Sequence, residues 1–273
     1  MYVDLLVSPF GREMGELLDA ARLADASAVR TLWLPDHFSG AVFGAPYTRH
    51  PFVCLGAMAA VTERVGLGIL VANMVNRHPV QLASAGNSLQ SLAPGRVQIG
   101  IGSGAAPASR FAVEHEMIGR RLLPAADRRR QLDDYLAAVR AIWEGTGSFR
   151  SESFAAHELT GVVDGAAAPP LIVGASSWPT VEIALRRADG VNLRRTRWLP
   201  DQLDRLVANR PVRPFEVSVL DIAAEVLDSN GRPSGPWSAA ELARSGVQAR
   251  IVATPPILEE VALQRLLAAT SGS

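Results

Sequence analysis

The sequence contains no lysine: all 27 of its basic residues are arginine. Without lysine, the chain can form neither a lysine Schiff base nor the phosphate-binding lysine of a P-loop nucleotide site. The arginines are balanced by 27 acidic residues, so the formal net charge is zero. Because no excess of positive charge is present to attract polyanions, we predict that the protein binds neither nucleic acid nor an anionic membrane.

Cysteine and long apolar runs are also scarce. The single cysteine, Cys54, cannot form a disulfide within the chain, which is typical of proteins of the reducing cytoplasm. No run of about 18 uninterrupted apolar residues occurs, so no transmembrane helix is predicted. The first residues, Met1–Val7, are typical of a strand and not of a signal sequence. We therefore predict a cytoplasmic protein.

Two groups of catalytic motifs are missing. None of the five histidines has a partner at His-x-x-x-His spacing, and no Cys-x-x-Cys occurs, so no metal site is predicted. The Gly-x-Ser-x-Gly turn that carries the nucleophile of many hydrolases is absent as well.

The sequence does contain a regular alternation of short apolar runs and amphipathic segments. The apolar runs predict eight strands, at Val3–Val7, Thr31–Leu34, Val65–Leu70, Val97–Ile101, Leu171–Gly174, Val191–Leu193, Glu216–Val226 and Ile251–Ala253. Eight helices are predicted at Glu13–Ala28, Phe52–Thr62, His78–Leu92, Leu123–Glu144, Pro179–Arg187, Asp201–Ala208, Ser238–Ser245 and Ile257–Ala269. Two irregular stretches, Gly102–Leu122 and Thr146–Pro169, are predicted to be loops.

This alternation favours an α/β fold of the (β/α)8 TIM-barrel type, as one domain over residues 1–273. An open, doubly wound sheet is the alternative, because a sequence does not reveal whether a sheet closes. In either architecture, ligands bind at the carboxyl ends of the strands.

A carboxylate and an imidazole follow the second predicted strand, at Asp36 and His37. Their place at a strand end makes them candidates for acid–base chemistry, with Asp36 orienting His37. The alternative is a loop histidine that a neighbouring carboxylate holds for local order.

Small residues follow two further strands. Gly100–Gly104 carries glycine at alternate positions, which allows either close approach to a ligand or a tight turn. Gly174–Ser177 ends a buried strand just before a helix, where backbone N–H groups favour an anion. The alternative at this second position is that Ser177 only caps the helix.

At this point the chain resembles the bacterial luciferase-like superfamily of flavin- and deazaflavin-dependent oxidoreductases. Several separated segments in the same order carry the resemblance, and together they cover roughly residues 1–195. They are Trp33–Phe38, Arg77–Val80, Pro94–Gly104, Arg129–Gly145, and Pro170–Ser177 with Ala188–Gly190.

The resemblance implies a β/α barrel with a cofactor at the carboxyl ends of its strands. Asp36-His37-Phe38 is similar to the pattern of members that use coenzyme F-420, a 5-deazaflavin restricted to two-electron hydride transfer. We therefore predict an oxidoreductase that transfers a hydride between coenzyme F-420 and a small organic substrate. One alternative is an FMN-dependent monooxygenase that uses dioxygen. Another is a non-catalytic protein that binds a flavin or deazaflavin.

The resemblance also implies roles for site residues. His37 would lie beside the reactive ring, and Leu70-Val71 would form a strand bulge behind that ring. The cofactor-binding residues so implied are Leu70, Val71, Ala72, Gly102, Ser103, Gly174, Ala175, Ser176 and Ser177, with Ser176 and Ser177 at the phosphate. Ala105 stands where sugar-phosphate dehydrogenases of the family carry an acidic residue, so the substrate is not predicted.

Members of the family are commonly dimers, and we predict a homodimer. The predicted third helix carries small residues at Ala83–Gly86, which permit close approach of another helix, and Phe52–Met58 supplies apolar area. The alternative is that both segments pack within the barrel.

Overall fold

The computed structural model of the protein describes residues 1–222, 237–254 and 258–271. Within these ranges the strands are β1 Tyr2–Leu6, β2 Thr31–Leu34, β3 Gly66–Asn73, β4 Val97–Gly102, β5 Phe149–Arg150, β6 Ala155–Ala156, β7 Leu171–Ala175, β8 Gly190–Arg194, β9 Glu216–Ile222 and β10 Ala249–Ala253. The α-helices are α1 Met14–Asp25, α2 Pro51–Ala59, α3 Pro79–Leu92, α4 Ala112–Met117, α5 Ala125–Trp143, α6 Trp178–Arg187, α7 Leu199–Asn209, α8 Ala239–Arg244 and α9 Glu260–Ser271. None of these helices combines the length and the apolar character that crossing a bilayer requires.

Eight strands close into a barrel. Its order is β1, β2, β3, β4, β7, β8, β9 and β10, with β10 paired to β1, and every neighbouring pair is parallel. The prediction of a (β/α)8 TIM barrel is confirmed, and the open sheet is excluded. All the strand ends that carry the candidate residues therefore meet at one face of the barrel.

The two stretches predicted to be loops contain regular structure. The first holds α4, and the second holds β5 and β6, which pair as an antiparallel hairpin outside the barrel. Helix α4 has only six residues, and two of its buried side chains, Glu114 and His115, are polar. It therefore lacks the apolar stripe by which a helix is recognised in a sequence. Parts of two other predictions, residues 223–226 of a strand and residue 257 of a helix, lie outside the described residues.

The barrel interior is filled by large side chains. Trp33 is almost completely buried there with Leu70, Ile172 and Ile251. A Cβ atom at Gly68 would lie 2.4 Å from the Trp33 ring, so only glycine fits opposite the indole. The indole N–H donates to Asp4 at 3.1 Å, which satisfies its polar atom inside the barrel.

The small residues of α3 pack within the chain. The Trp143 indole of α5 donates to the Ala83 carbonyl at 3.0 Å, and a Cβ atom at Gly86 would lie 3.1 Å from the same ring. For Ala83 and Gly86 the alternative of packing within the chain is therefore correct, because Trp143 covers them, whereas Ser84 and Ala85 of the same set are half-buried. Homodimerisation itself stays a prediction.

Candidate active site

His37 lies just beyond the end of β2 and is held by a carboxylate that the sequence did not reveal. Its Nδ1 is 2.6 Å from Oε2 of Glu114, a residue of α4 that is only 1% exposed. The other oxygen of Glu114 accepts hydrogen bonds from the backbone N–H groups of Phe38 and Ser39, at 2.9 and 3.0 Å. Glu114 thus fixes both the imidazole ring and the backbone that follows it.

The environment keeps Glu114 ionised. Burial raises the pKa of this carboxyl, but the hydrogen bond and charge of His37 and the two backbone N–H groups outweigh burial, so the pKa lies below its ordinary value. An ionised Glu114 accepts the Nδ1 proton of His37 and leaves Nε2 as the ring atom that can exchange a proton with a ligand. Nε2 has no hydrogen-bond partner among the described residues and is not sealed from solvent.

Asp36 has a different role from the one predicted. Arg77 donates to it through both terminal nitrogens, Nη1 to Oδ2 at 2.5 Å and Nη2 to Oδ1 at 2.8 Å. Oδ2 also accepts the backbone N–H of Asn73 at 2.7 Å. The prediction that Asp36 orients His37 is wrong, because both carboxylate oxygens are used to tie the end of β3 and the start of α3 to β2.

The predicted bulge is present in β3. The pairing of β3 with β4 shifts register between Ile69 and Ala72, and the Leu70–Val71 peptide bond between them is cis. Leu70 packs into the barrel interior, and Val71 is half-buried beside it. Ala72 is buried in the large hydrophobic core.

The glycines around the bulge make room for Val71. A Cβ atom at Gly102 would lie 2.6 Å from one Val71 methyl group, and one at Gly174 would lie 2.8 Å from the other. Val71 therefore occupies the side-chain space that glycine leaves open at both positions. Contact of the Gly102, Ser103, Gly174 and Ala175 backbone with a cofactor stays a prediction.

Aromatic side chains surround His37. Phe10 and Phe43 stack with ring centroids 4.1 Å apart, and the His37 ring lies 5.6 and 5.5 Å from them. Phe111, next to α4, lies 5.0 Å from His37, and the Arg110 guanidinium covers the rings of Phe43 and Phe111. This cluster gives the imidazole an apolar surrounding that limits the access of water.

The end of β7 leads directly into α6, as the sequence suggested. Ser177 is the N-cap residue, but its side chain makes no capping hydrogen bond and instead lies 3.2 Å from the Thr180 hydroxyl. Ser176 is exposed. The capping alternative for the Ser177 side chain is therefore wrong, and phosphate binding by Ser176 and Ser177 stays a prediction.

A second feature of this face is a cavity of about 350 Å³ between the β3–α3 connection, the α4–α5 connection and the β5–β6 hairpin. Arginines dominate the polar part of its wall: Arg77, Arg120, Arg121 and Arg128. No three metal-binding side chains cluster anywhere in the part of the chain that the structure describes.

Comparison with known proteins now identifies the family. Residues 7–209 match the family model described as luciferase-like monooxygenase. The chain belongs to the luciferase-like monooxygenase family. Among curated relatives of this luciferase-like protein, the F-420-dependent glucose-6-phosphate dehydrogenase of Kineococcus radiotolerans is 30% identical over 179 residues, which are 64% of this chain and 51% of the relative. The chain spans about half the length of the curated relatives it matches.

Solved structures of other enzymes show the same fold. An F-420-dependent secondary alcohol dehydrogenase in complex with an F-420–acetone adduct superposes with a TM-score of 0.74 at 15% identity, covering 98% of this chain and 99% of that one. EDTA monooxygenase from Chelativorans sp. BNC1 also has a TM-score of 0.74, at 11% identity, covering 99% and 94%. At these identities the likeness shows the fold alone.

The luciferase-like site differs from the sequence prediction mainly in residues from α4 and its flanks. Glu114, Phe111, Arg120 and Arg121 were not identified, because they lie in the stretch predicted to be a loop, and Arg128 of the predicted helix Leu123–Glu144 was not recognised as a site residue. Glu114 stands ten positions after Gly104, and no local pattern marks it as a partner of His37.

Proposed function

We propose that this luciferase-like protein is an oxidoreductase that transfers a hydride between coenzyme F-420 and a small organic substrate, with His37 as the acid–base group. The observation that carries the proposal is the pair His37–Glu114. Glu114 binds Nδ1 of the imidazole, so Nε2 stays available at the carboxyl end of β2. F-420-dependent enzymes among the relatives and the structural neighbours support the choice of cofactor.

The side chains at this face fit a cofactor that has a flat ring and an anionic tail. Val71, half-buried on the bulge and backed by Leu70, offers an apolar surface for a ring. Ser176 and Ser177 at the start of α6, together with the arginine-lined cavity, offer donors for anionic groups. We therefore assign the ring to the bulge and the anionic groups to these donors.

Proton transfer falls to His37 and Glu114. When bound, coenzyme F-420 supplies a two-electron hydride carrier. In the oxidising direction, Nε2 of neutral His37 accepts the proton of a substrate hydroxyl, and in the reducing direction it returns that proton. The Glu114 carboxylate stabilises the imidazolium that forms, through the Nδ1–H bond. The neighbouring phenylalanines place the imidazole ring in a largely apolar environment.

The alternative is an FMN-dependent monooxygenase, which the equally similar fold of EDTA monooxygenase supports. Purified protein is titrated with coenzyme F-420 and, separately, with FMN, and ring fluorescence reports binding. We expect saturable binding of coenzyme F-420 and weaker or no binding of FMN. Tight binding of FMN without binding of coenzyme F-420 would replace the proposal by the monooxygenase.

Turnover separates an enzyme from a protein that only binds the cofactor. The protein is mixed with reduced coenzyme F-420 and a panel of aldehydes, ketones and enones, and with the oxidised form and alcohols. We expect cofactor-dependent turnover of at least one class, and its loss in His37→Ala. Binding without turnover across the panel would favour the non-catalytic alternative.

A further inference from the structure

An arginine without a carboxylate partner lies beside the candidate acid–base group. Arg110 is exposed, and its guanidinium carbon Cζ lies 4.5 Å from the ring centroid of Phe43 and 4.9 Å from that of Phe111. Among the described residues, its guanidinium forms neither an ion pair nor a hydrogen bond. The two rings therefore hold a positive charge that no acidic side chain of the described chain neutralises.

Glu114, the acidic residue nearest to Arg110 in the sequence, is engaged elsewhere. One of its oxygens lies 2.6 Å from Nδ1 of His37. The other accepts the backbone N–H groups of Phe38 and Ser39. Because both oxygens of Glu114 have these partners, the guanidinium N–H groups of Arg110 remain available to a ligand.

Arg110 and His37 share the same aromatic neighbours. The Arg110 Cζ and the His37 imidazole lie 4.9 and 5.0 Å from the Phe111 centroid, so at most about twice that distance separates them. Phe43 is likewise close to both, at 4.5 Å from Cζ and 5.5 Å from the imidazole. A small molecule with a reacting oxygen at one end and an anionic group at the other can therefore contact both residues.

The surface beside these two polar groups is apolar and accessible. Phe43 is 44% exposed and Phe38 is 40% exposed, although large aromatic side chains are usually well buried. Exposed aromatic rings with a few polar groups around them are typical of a site that binds the apolar body of a small molecule. The site thus offers a proton-exchanging nitrogen, an apolar surface and a free cation.

We propose that the substrate is a small aldehyde or ketone, or the corresponding alcohol, that has an apolar body and a carboxylate, and that Arg110 binds this carboxylate. The inference rests on the proposed function and adds the substrate class to it. The planar guanidinium fork matches the two oxygens of a carboxylate. In the reducing direction the carbonyl carbon takes up the hydride, the carbonyl oxygen takes a proton from Nε2 of His37, and the carboxylate stays unchanged.

The test compares two aldehydes that differ only in the charged group. Turnover of benzaldehyde and of para-formylbenzoate by reduced coenzyme F-420 is measured for the parent, Arg110→Gln and Arg110→Lys. Arg213→Gln is the matched control, because Arg213 is also exposed and also lies over a phenylalanine ring, Phe215. Arg213 precedes β9 and therefore lies at the opposite end of the barrel.

We expect the parent to prefer para-formylbenzoate over benzaldehyde in kcat/KM by roughly tenfold or more, since a charge-assisted hydrogen bond is formed. Arg110→Gln loses this preference, mainly through a higher KM for the carboxylate, and Arg213→Gln keeps it. Arg110→Lys retains the charge without the planar fork, so its preference lies between the two. Added salt reduces the preference of the parent, because Arg110 is exposed. Equal kcat/KM for the two aldehydes in the parent, or a preference that persists in Arg110→Gln, would overturn the proposal.

A binding experiment keeps failure of this inference distinct from failure of the proposed function. If the parent turns over neither aldehyde, both compounds are titrated by calorimetry against the parent, Arg110→Gln and Arg213→Gln. Weaker binding of para-formylbenzoate to Arg110→Gln than to the other two proteins supports the carboxylate site even though hydride transfer has failed. Equal binding to all three proteins, or no binding to any, overturns the site.

Discussion

At the scale of single residues, two neighbouring side chains have separate tasks. Asp36 is part of the scaffold, because Arg77 and the Asn73 backbone use both of its oxygens. His37 is the reactive group, and the carboxylate that serves it comes from α4. A buried carboxylate on Nδ1 and a free Nε2 form the arrangement that general acid–base catalysis by histidine requires.

Removing the charge of Glu114 tests this assignment. Glu114→Gln keeps the side-chain shape but leaves the imidazolium of His37 unsupported, so we expect turnover to fall roughly tenfold to a hundredfold. Steady-state rates with coenzyme F-420 measure the loss, and fluorescence titration is expected to show unchanged cofactor affinity. Glu116→Gln, on the exposed side of the same helix, is the control. Full activity of the Glu114 variant would remove Glu114 from the mechanism.

The same pair makes stability depend on pH. The folded-state pKa of Glu114 lies below its ordinary value of 4.5, so the ionised form is favoured in the folded protein. This contribution is fully present above the unfolded-state pKa and is lost as the pH falls through the folded-state pKa. We expect Tm to fall less steeply between neutral and acid pH in Glu114→Gln than in the parent. Parallel curves for the two proteins would contradict the coupling.

The phosphate prediction at α6 can be tested at one hydroxyl. Ser177→Ala removes a side chain that makes no capping bond and contacts the Thr180 hydroxyl, so we expect only a small change in helix stability. If this hydroxyl binds a cofactor phosphate, affinity for coenzyme F-420 falls several-fold, as fluorescence titration would show. An unchanged affinity of this variant for coenzyme F-420 would contradict phosphate binding by the Ser177 hydroxyl.

At the scale of elements, the β3 bulge depends on its neighbours. Val71 projects into space that β4 and β7 leave open only because they carry glycine at Gly102 and Gly174. Three strands thus shape the apolar surface that we assign to the cofactor ring. A side chain at either position would clash with Val71.

A pair of substitutions tests this packing. In Gly102→Ala, the new methyl group would lie 2.6 Å from Val71, so we expect a destabilisation of about 1–3 kcal/mol. Val71→Ala in the same chain removes the clash and restores part of the loss. Denaturant unfolding measures both, and Gly147→Ala, which has no neighbour within 4 Å, is the control. A double variant less stable than the sum of the single effects would contradict the contact.

At the scale of the whole molecule, most residues that stabilise the barrel interior differ from the residues that form the candidate site. The interior is packed around Trp33, while the candidate site is built from the last residues of the strands and from the loops and helices that follow them. Changes at these ends can therefore alter the chemistry while the barrel stays intact.

The predicted homodimer belongs to this scale. Trp143 covers Ala83 and Gly86 of α3, and the exposed apolar side chains on α2 and α3 include Val53 and Leu92, which are 63% and 60% exposed. We expect sedimentation to show a dimer, and Val53→Ser with Leu92→Ser to shift it toward monomer. A monomeric parent at micromolar concentration would contradict the prediction.

The sequence by itself determined the alternation of strands and helices, the strand ends and the position of His37 after the second strand. These features depend on local periodicity: short apolar runs make strands, and the residue after each run lies at the same face of the sheet. The bulge at Leu70-Val71 and the start of α6 at Ser177 were also predictable, because the luciferase-like pattern places them by order along the chain.

Only the tertiary structure decided which side chains meet. Glu114 lies 77 positions from His37, and Arg77 lies 41 positions from Asp36, whereas Asp36 and His37 are adjacent in the chain and do not pair. Successive residues after a strand point in different directions, so adjacency did not predict contact. The partners of Asp36 and His37 come instead from other loops, which closure of the barrel brings to the same face. Local sequence patterns do not reveal that closure.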